Sequence, residues 1–408
     1  MSLNLSGIRL ARERIGEGVV TTPVLPALAL RERLPCALHL KLESAQRTGS
    51  FKDRGALNRL LDLSPEERAR GVVTASAGNH AQAVAYHGSR LGVPVEVVMP
   101  EHTPLVKVAN TRAFGAGIRF HGATLSDAMG EARRLEAAER RVLVHPYDDE
   151  RVIAGQGTIG LELLEQLPGL TAVVVPVGGG GLIAGIALAI REQRPDVRIY
   201  GVEASAAASA LASRRAGHVV PIETTETIAD GIAVKRVGDL THPLLERYVD
   251  DIVAVGEPQI AAAVHLLLER QKVLAEGAAA APLAAILAGQ LPLGPGDMVV
   301  TIVSGGNIDV NLVERIIDRG LVADGRLARL SVTVRDRPGN LARLTQLVAE
   351  EGANVLEVAH SRAFADIGVR DVEIVMHLET RGREHVAAVI TRLERDGLEV
   401  RERIVADP

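Results

Sequence analysis

Over the first 320 residues, short apolar runs alternate with longer segments of helical period. PVEVVM at 94–99, AVVVPV at 172–177, RIYGVE at 198–203 and DMVVTIV at 297–303 read as strands, whereas LSDAMGEARRLEAAERR at 125–141 spaces its apolar residues three and four apart. Nearly continuous apolar strands separated by helices predict a parallel sheet covered on both faces, the α/β class. The opening MSLNLSGIRLARERIGEG reads as an amphipathic first helix.

Near residue 320 the pattern changes. A helix ends at about 318–320, LVADGRL at 321–327 reads as a connector, and strand alternation restarts at Leu330, Val332 and Val334. After the turn DRPGN come a helix with Leu341, Leu344, Leu347 and Val348 on one face and a strand at about 355–358. Alternating Val372, Ile374, Met376 and Leu378 follow, then a helix carrying Val386, Val389, Ile390 and Leu393, and a last strand at about 398–404. The order is βαββαβ, a ferredoxin-like unit. The domains expected are 1–320, a linker at 321–327, and 328–408.

Composition narrows the classes. The chain has 408 residues, 47% of them hydrophobic, a net charge of −5 and one cysteine, Cys36. That length suits two or three domains, and one cysteine supplies neither a disulfide framework nor a metal cluster, so Cys36 is expected in the core. No apolar run is long enough for a bilayer, and the N-terminus lacks a signal peptide's apolar stretch, so a cytoplasmic enzyme is expected. With no tryptophan, four tyrosines and four phenylalanines there are few stacking platforms for nucleic acid. PEERAR at 65–70 reads as a solvated helix face.

Three segments carry chemistry. TGSFKDRG at 48–55 places Lys52 directly after an aromatic residue, where desolvation would lower the pKa of its amine and suit it to Schiff-base formation, although a lysine at a helix start can also be surface charge. TASAGNHAQA at 74–83 reads as strand, turn and helix, so Ser76, Ala77, Gly78, Asn79 and His80 lie where free N–H groups and short polar side chains can hold a carboxylate; capping by Ser76 or Asn79 is the plainer alternative. VVVPVGGGGLIAGIALAI at 173–190 sets Gly178, Gly179, Gly180 and Gly181 between a strand and a helix, a cradle for phosphate. Gly179, Gly181 and Ala184 also fit a loose dinucleotide pattern, with Glu203 ending the next strand, which keeps a nicotinamide-dependent oxidoreductase in view. That alternative leaves the lysine and the Asn-His turn unexplained.

Together the three segments resemble the fold-type II pyridoxal-phosphate enzymes, and within them the threonine and serine dehydratases (ammonia-lyases). The resemblance covers residues 5–320 and includes PYDDERVIAGQGTIGLE at 146–162, ETIADGIAV at 226–234 and SGGN at 304–307. It implies two α/β subdomains, the smaller at about 50–150, with pyridoxal 5'-phosphate between them. It also implies Lys52 as Schiff-base lysine and general base, and Phe51 and Gly231 on opposite faces of the cofactor ring. Asn79 is then expected on the ring hydroxyl, residues 178–181 on the phosphate, the 76–80 loop on the substrate carboxylate and Ser304 facing the pyridine nitrogen. A hydroxyl partner there favours β-elimination over transamination. The expected reaction takes L-threonine to 2-oxobutyrate and ammonia and L-serine to pyruvate, with a 3-hydroxyaspartate dehydratase as alternative. Serine racemases carry a serine where this chain has Ala77, which disfavours racemisation, and Ser209 stands where their metal site needs a second carboxylate, so no metal is expected.

The C-terminal order, with DRPGNLARL at 336–344, resembles the ACT domain, which binds amino acids between paired copies. The resemblance implies an effector site at Gly339, Asn340 and Leu341, a homodimer or homotetramer, and an amino-acid signal such as isoleucine. Alternatives are an ACT unit used for assembly alone and an amino-acid sensor with a dead catalytic region.

Overall fold

The apolar run before the four glycines, Ala172–Pro176, lies inside a six-stranded sheet and is buried along its whole length. The computed structural model describes residues 3–361, 368 and 370–403, and the chain divides into two compact units, Met1–Ile308 and Asp309–Pro408.

The large sheet of the first unit has the order Val24–Pro26, Ala37–Leu42, Met298–Val303, Ala172–Pro176, Arg198–Ala204 and Asp251–Val255. Only its first pair is antiparallel. A second, wholly parallel sheet runs Gly117–Phe120, Val95–Met99, Val72–Ala75 and Val142–Leu143. Each sheet has its own apolar core, one centred on Val173, Val175, Ile183 and Ile302, the other on Val72, Val84, Val97 and Met99. In parallel open sheets ligands bind beyond the carboxyl ends of the strands. The loops beginning at Ser76, Gly178 and Ser304 each follow such an end.

One helix holds the key lysine in place. Lys52–Leu61 lies against Glu150–Gln166 so closely that a Cβ on Gly155 would stand 2.6 Å from the Arg54 carbonyl oxygen. Arg54, with no exposed surface, meets Glu43 at 2.8 Å and Glu162 at 2.6 Å, and Lys41 meets the same Glu162 at 2.5 Å. Asp53 accepts from the N–H and hydroxyl of Thr48, both at 2.9 Å, and stands 3.1 Å from His87 Nε2. Breaking such a buried ion set by removing one member costs about 3–5 kcal/mol, because a lone charge is left inside.

The surface and terminal expectations have their counterparts. The first helix is Leu5–Ile15, burying Ile8, Ala11 and Ile15. Cys36 is buried, and Pro65–Arg70 is a short helix with no buried residue. Among the described residues no helix is long and apolar enough to cross a membrane.

The second unit begins with a helix, Val310–Ala323, and only 324–326 separate it from the strand Leu327–Arg335, where 321–327 was expected to connect. Its antiparallel sheet has the order Asn354–Ser361, Asp371–Glu379, Leu327–Arg335 and Glu399–Glu402. Helices Asn340–Glu350 and Arg383–Arg395 close the core with Leu344, Leu347, Val348, Val386, Val389 and Leu393. Val372, Ile374, Met376 and Leu378 face inward as their alternation requires. Leu341 does not join them; at the first turn of its helix it is 37% exposed. Ile404, placed by periodicity in the last strand, lies outside the described residues.

Candidate active site

Lys52 opens its helix with its amine inside the protein, where Nζ donates to the Pro146 carbonyl at 2.6 Å and lies 5.0 Å from the centre of the Phe51 ring. Burial lowers the amine to about 8, against the opposing pull of Glu276. Proton loss from this lysine is therefore far easier than from a solvated one. The Phe51 ring packs against the core of the large sheet, and its N–H donates to the Ser304 carbonyl at 2.9 Å. Ser304 itself is buried, one residue beyond the strand Met298–Val303.

The residue after Pro146 connects the lysine to the glycines. A Cβ on Gly179 would stand 2.2 Å from the Tyr147 ring, and one on Gly181 would meet the Tyr147 backbone at 2.8 Å. Gly180 has φ +90°, a conformation that glycine adopts without strain, and a Cβ there would also meet Thr241 Oγ1 at 2.7 Å. The helix Gly181–Arg191 has no capping side chain, and among the described residues the N–H groups of 178–181 donate to no protein group. An uncapped helix start with open N–H groups fits a phosphate.

The turn at 76–80 is built differently from a side-chain cap. Gly78 is the N-cap of Asn79–Leu91 without a capping side chain, and Ser76 Oγ accepts the Gly78 N–H at 3.2 Å. Ala77, Asn79 and His80 keep N–H groups with no protein partner among the described residues. His80 is buried with Nε2 3.0 Å from the Val144 carbonyl, and burial together with Lys52 lowers it to about 3. Its ring is thus neutral and turned to the strand end.

Two partners of Asn79 carried no role in the sequence reading. Its Nδ2 lies 3.0 Å from both oxygens of Glu276, and its Oδ1 accepts from Asn307 Nδ2 at 2.9 Å. Glu276 also borders Gly231, whose added Cβ would stand 3.5 Å from Oε1. Phe51, Lys52, Asn79, Gly231, Ser304 and the glycine loop are thereby linked through neighbours into one site. Asn307 lies within the SGGN segment, and Glu276 is the lone acid before the small-residue helix Gly277–Leu287, a signal that composition alone could have raised.

Glu203 argues against the dinucleotide alternative. Its carboxylate is buried and accepts from the N–H groups of Ala210 and Leu211, both at 2.8 Å, so it serves a helix start instead of facing a ribose. Burial raises it to about 7 despite those bonds.

The comparisons agree with this geometry. Residues 15–305 match the pyridoxal-phosphate dependent enzyme family, and residues 324–396 match the ACT domain. The chain is similar to an L-threonine ammonia-lyase of Thermotoga maritima, 46% identical over 98% of this chain and 99% of that one. Among solved structures it resembles the processed threonine deaminase isoform 2 of Solanum lycopersicum, with TM-score 0.73 and 36% identity over 77% of this chain and 92% of that one. It also resembles maize serine racemase, with TM-score 0.74 and 35% identity over 79% and 99%. The chain belongs to the pyridoxal-phosphate dependent enzymes, fold type II, and carries a C-terminal ACT domain. Its cofactor is pyridoxal phosphate, which the buried amine, the uncapped glycine loop and the polar pair at Asn79 suit.

Proposed function

We propose that this chain is an L-threonine ammonia-lyase, converting L-threonine to 2-oxobutyrate and ammonia and acting on L-serine to give pyruvate. The observation that carries the reading is the buried Lys52 amine, lowered to about 8, beside a glycine loop with open N–H groups. The near full-length likeness to an L-threonine ammonia-lyase supports it.

Residues 178–181 would hold the phosphate, Asn79 the ring oxygen, Phe51 and Gly231 the two ring faces, and Ser304 the pyridine nitrogen. When bound, pyridoxal phosphate supplies an electron sink for the pair left at the substrate's α-carbon. The N–H groups of the 76–80 loop receive the substrate carboxylate and so orient the α-hydrogen toward Lys52 Nζ. Lys52 takes that proton, the Cβ–O bond breaks and the departing hydroxyl takes up one proton, so α-hydrogen and hydroxyl together are lost as one water. One water then adds back to release ammonia, and threonine gives 2-oxobutyrate and ammonia with no net gain or loss of other atoms.

Likeness to a serine racemase keeps racemisation as a second reading, but Ala77 has only a methyl group and cannot return a proton to the α-carbon. A 3-hydroxyaspartate substrate would need a free cation for its second carboxylate. Lys107, close enough to lower Glu276, is already paired with Asp230 at 2.5 Å.

The ACT unit supports control by an amino acid at Gly339, Asn340 and Leu341, within a cytoplasmic homodimer or homotetramer. Keto-acid release from L-threonine, L-serine and 3-hydroxyaspartate, each with and without isoleucine, tests the reading. Threonine turnover that falls with isoleucine supports both halves. No release from threonine or serine sinks the enzymatic assignment, and racemisation of serine at a rate equal to release removes the argument from Ala77.

A further inference from the structure

Glu276 is a buried carboxylic acid without a task in the reaction above. It occupies the N-cap of Gly277–Leu287, with its backbone N–H on the Gly305 carbonyl at 3.1 Å, but its side chain does not cap that helix. It reaches instead to Asn79, 197 positions away in the chain, with both oxygens 3.0 Å from Nδ2. A helix cap given up for a distant amide indicates that the amide's orientation matters.

That orientation is settled by the network. Asn307 Nδ2 donates to the Thr48 carbonyl at 2.8 Å and to Asn79 Oδ1 at 2.9 Å, so both of its hydrogens are engaged and Asn79 Oδ1 must accept. Nδ2 is left to face the carboxylate. Of its two hydrogens, one shared between the oxygens of Glu276 leaves the other free. We infer that Glu276 is a positioning residue: its carboxyl group and Asn307 hold the Asn79 amide at its two ends and present the remaining Nδ2 hydrogen to the cofactor's ring oxygen.

The charges around Glu276 come from three further elements. Lys52 on its helix, Lys107 on Leu105–Ala113 and Asp230 in Asp230–Ile232 all bear on it. Burial raises the acid to about 7 and Asp230 adds to this, while Asn79, Lys107 and Lys52 pull it back. The hold on Asn79 is therefore strongest above about 7 and weakens as Glu276 takes up a proton below it.

The inference rests on Asn79 reaching the ring oxygen, as proposed above. The test is a pyridoxal-phosphate titration of the full-length protein, followed by the visible absorbance of the bound cofactor, in Glu276→Gln, Asn79→Ala and the double variant. Glu276→Gln sets an amide against an amide and is expected to weaken cofactor binding about tenfold, the worth of one hydrogen bond to a charged group. The double variant is expected to bind no more weakly than Asn79→Ala, since neighbours acting through one another do not add. Additive losses, or unchanged binding in Glu276→Gln, overturn the inference. Normal binding in Asn79→Ala would instead overturn the placement of Asn79. If Glu276→Gln does not fold, Asn307→Ala releases the other end of the same amide and leaves every carboxylate in place. It is expected to weaken binding about threefold, and unchanged affinity overturns the inference.

Discussion

Two helices in this molecule begin in almost the same way. Gly180 precedes Gly181–Arg191 with φ 90° and ψ −8°, and Gly339 precedes Asn340–Glu350 with φ 90° and ψ −16°; neither helix has a capping side chain. Their surroundings differ. Around Gly180 a single added carbon would strike Thr241 and Val237, and its neighbour Gly179 is covered by Tyr147. Around Gly339 nothing lies within 4 Å of such a carbon. The same backbone turn thus serves as a walled cradle in one place and as an open step in the other. A glycine turn at a helix start can favour an anion, but at Gly339 the Asn340 N–H already donates to the Arg337 carbonyl at 3.3 Å; enclosure and the reactive group beside the turn decide whether chemistry follows.

The largest effect separates the cradle from its amine. Lys52→Ala is expected to abolish the visible absorbance of the bound cofactor and lower threonine turnover at least about a thousandfold, the scale of losing a positioned base. Near-normal turnover would show that the walls alone suffice. Gly180→Ala against Gly339→Ala tests the walls directly. The first is expected to weaken cofactor binding at least about tenfold, whereas the second costs only the left-handed backbone term, about 1–2 kcal/mol in thermal unfolding, with turnover unchanged. Equal losses in both would mean that enclosure contributes nothing.

Removing residues 309–408 is expected to keep threonine turnover within about threefold, as a family match confined to 15–305 suggests, and to abolish the effector response. Inhibition that survives the cut would move the effector site into the first unit. The smallest effect is a pH dependence. Capture of pyridoxal phosphate by the cofactor-free protein requires the neutral Lys52 amine, which burial places at about 8. The capture rate should rise about tenfold per pH unit below that value and level off above it, as the neutral fraction does. A rate still climbing near 10 would mean that the amine is solvated.

Much of this was legible along the chain because it is local. Strand runs such as 172–176, the βαββαβ order and the lysine and glycine segments depend on residues a few positions apart. Leu341 shows where periodicity overreaches, since a residue on the apolar face of a first turn can lie beyond the edge of the core. Glu276 with Asn79, Asp53 with His87 and Arg54 with Glu162 stayed hidden for the opposite reason: each joins residues 34 to 197 positions apart, and a single sequence carries no mark of such a pairing. His80 was legible only in part: its motif suggested contact with substrate, but the sequence did not show that its Nε2 lies 3.0 Å from the Val144 carbonyl while Nδ1 stays buried without a partner among the described residues.

The four buried charges in and around the lysine helix, Lys41, Glu43, Arg54 and Glu162, also limit how this protein can change over generations. Two cations and two anions balance one another, so an apolar replacement of all four together could be tolerated, whereas any single replacement passes through a stranded charge in the interior. The route between the charged and uncharged versions crosses a valley that one-step mutation does not readily bridge. A set like this therefore behaves as a frozen choice, retained by the cost of leaving it and independent of any advantage over the alternative.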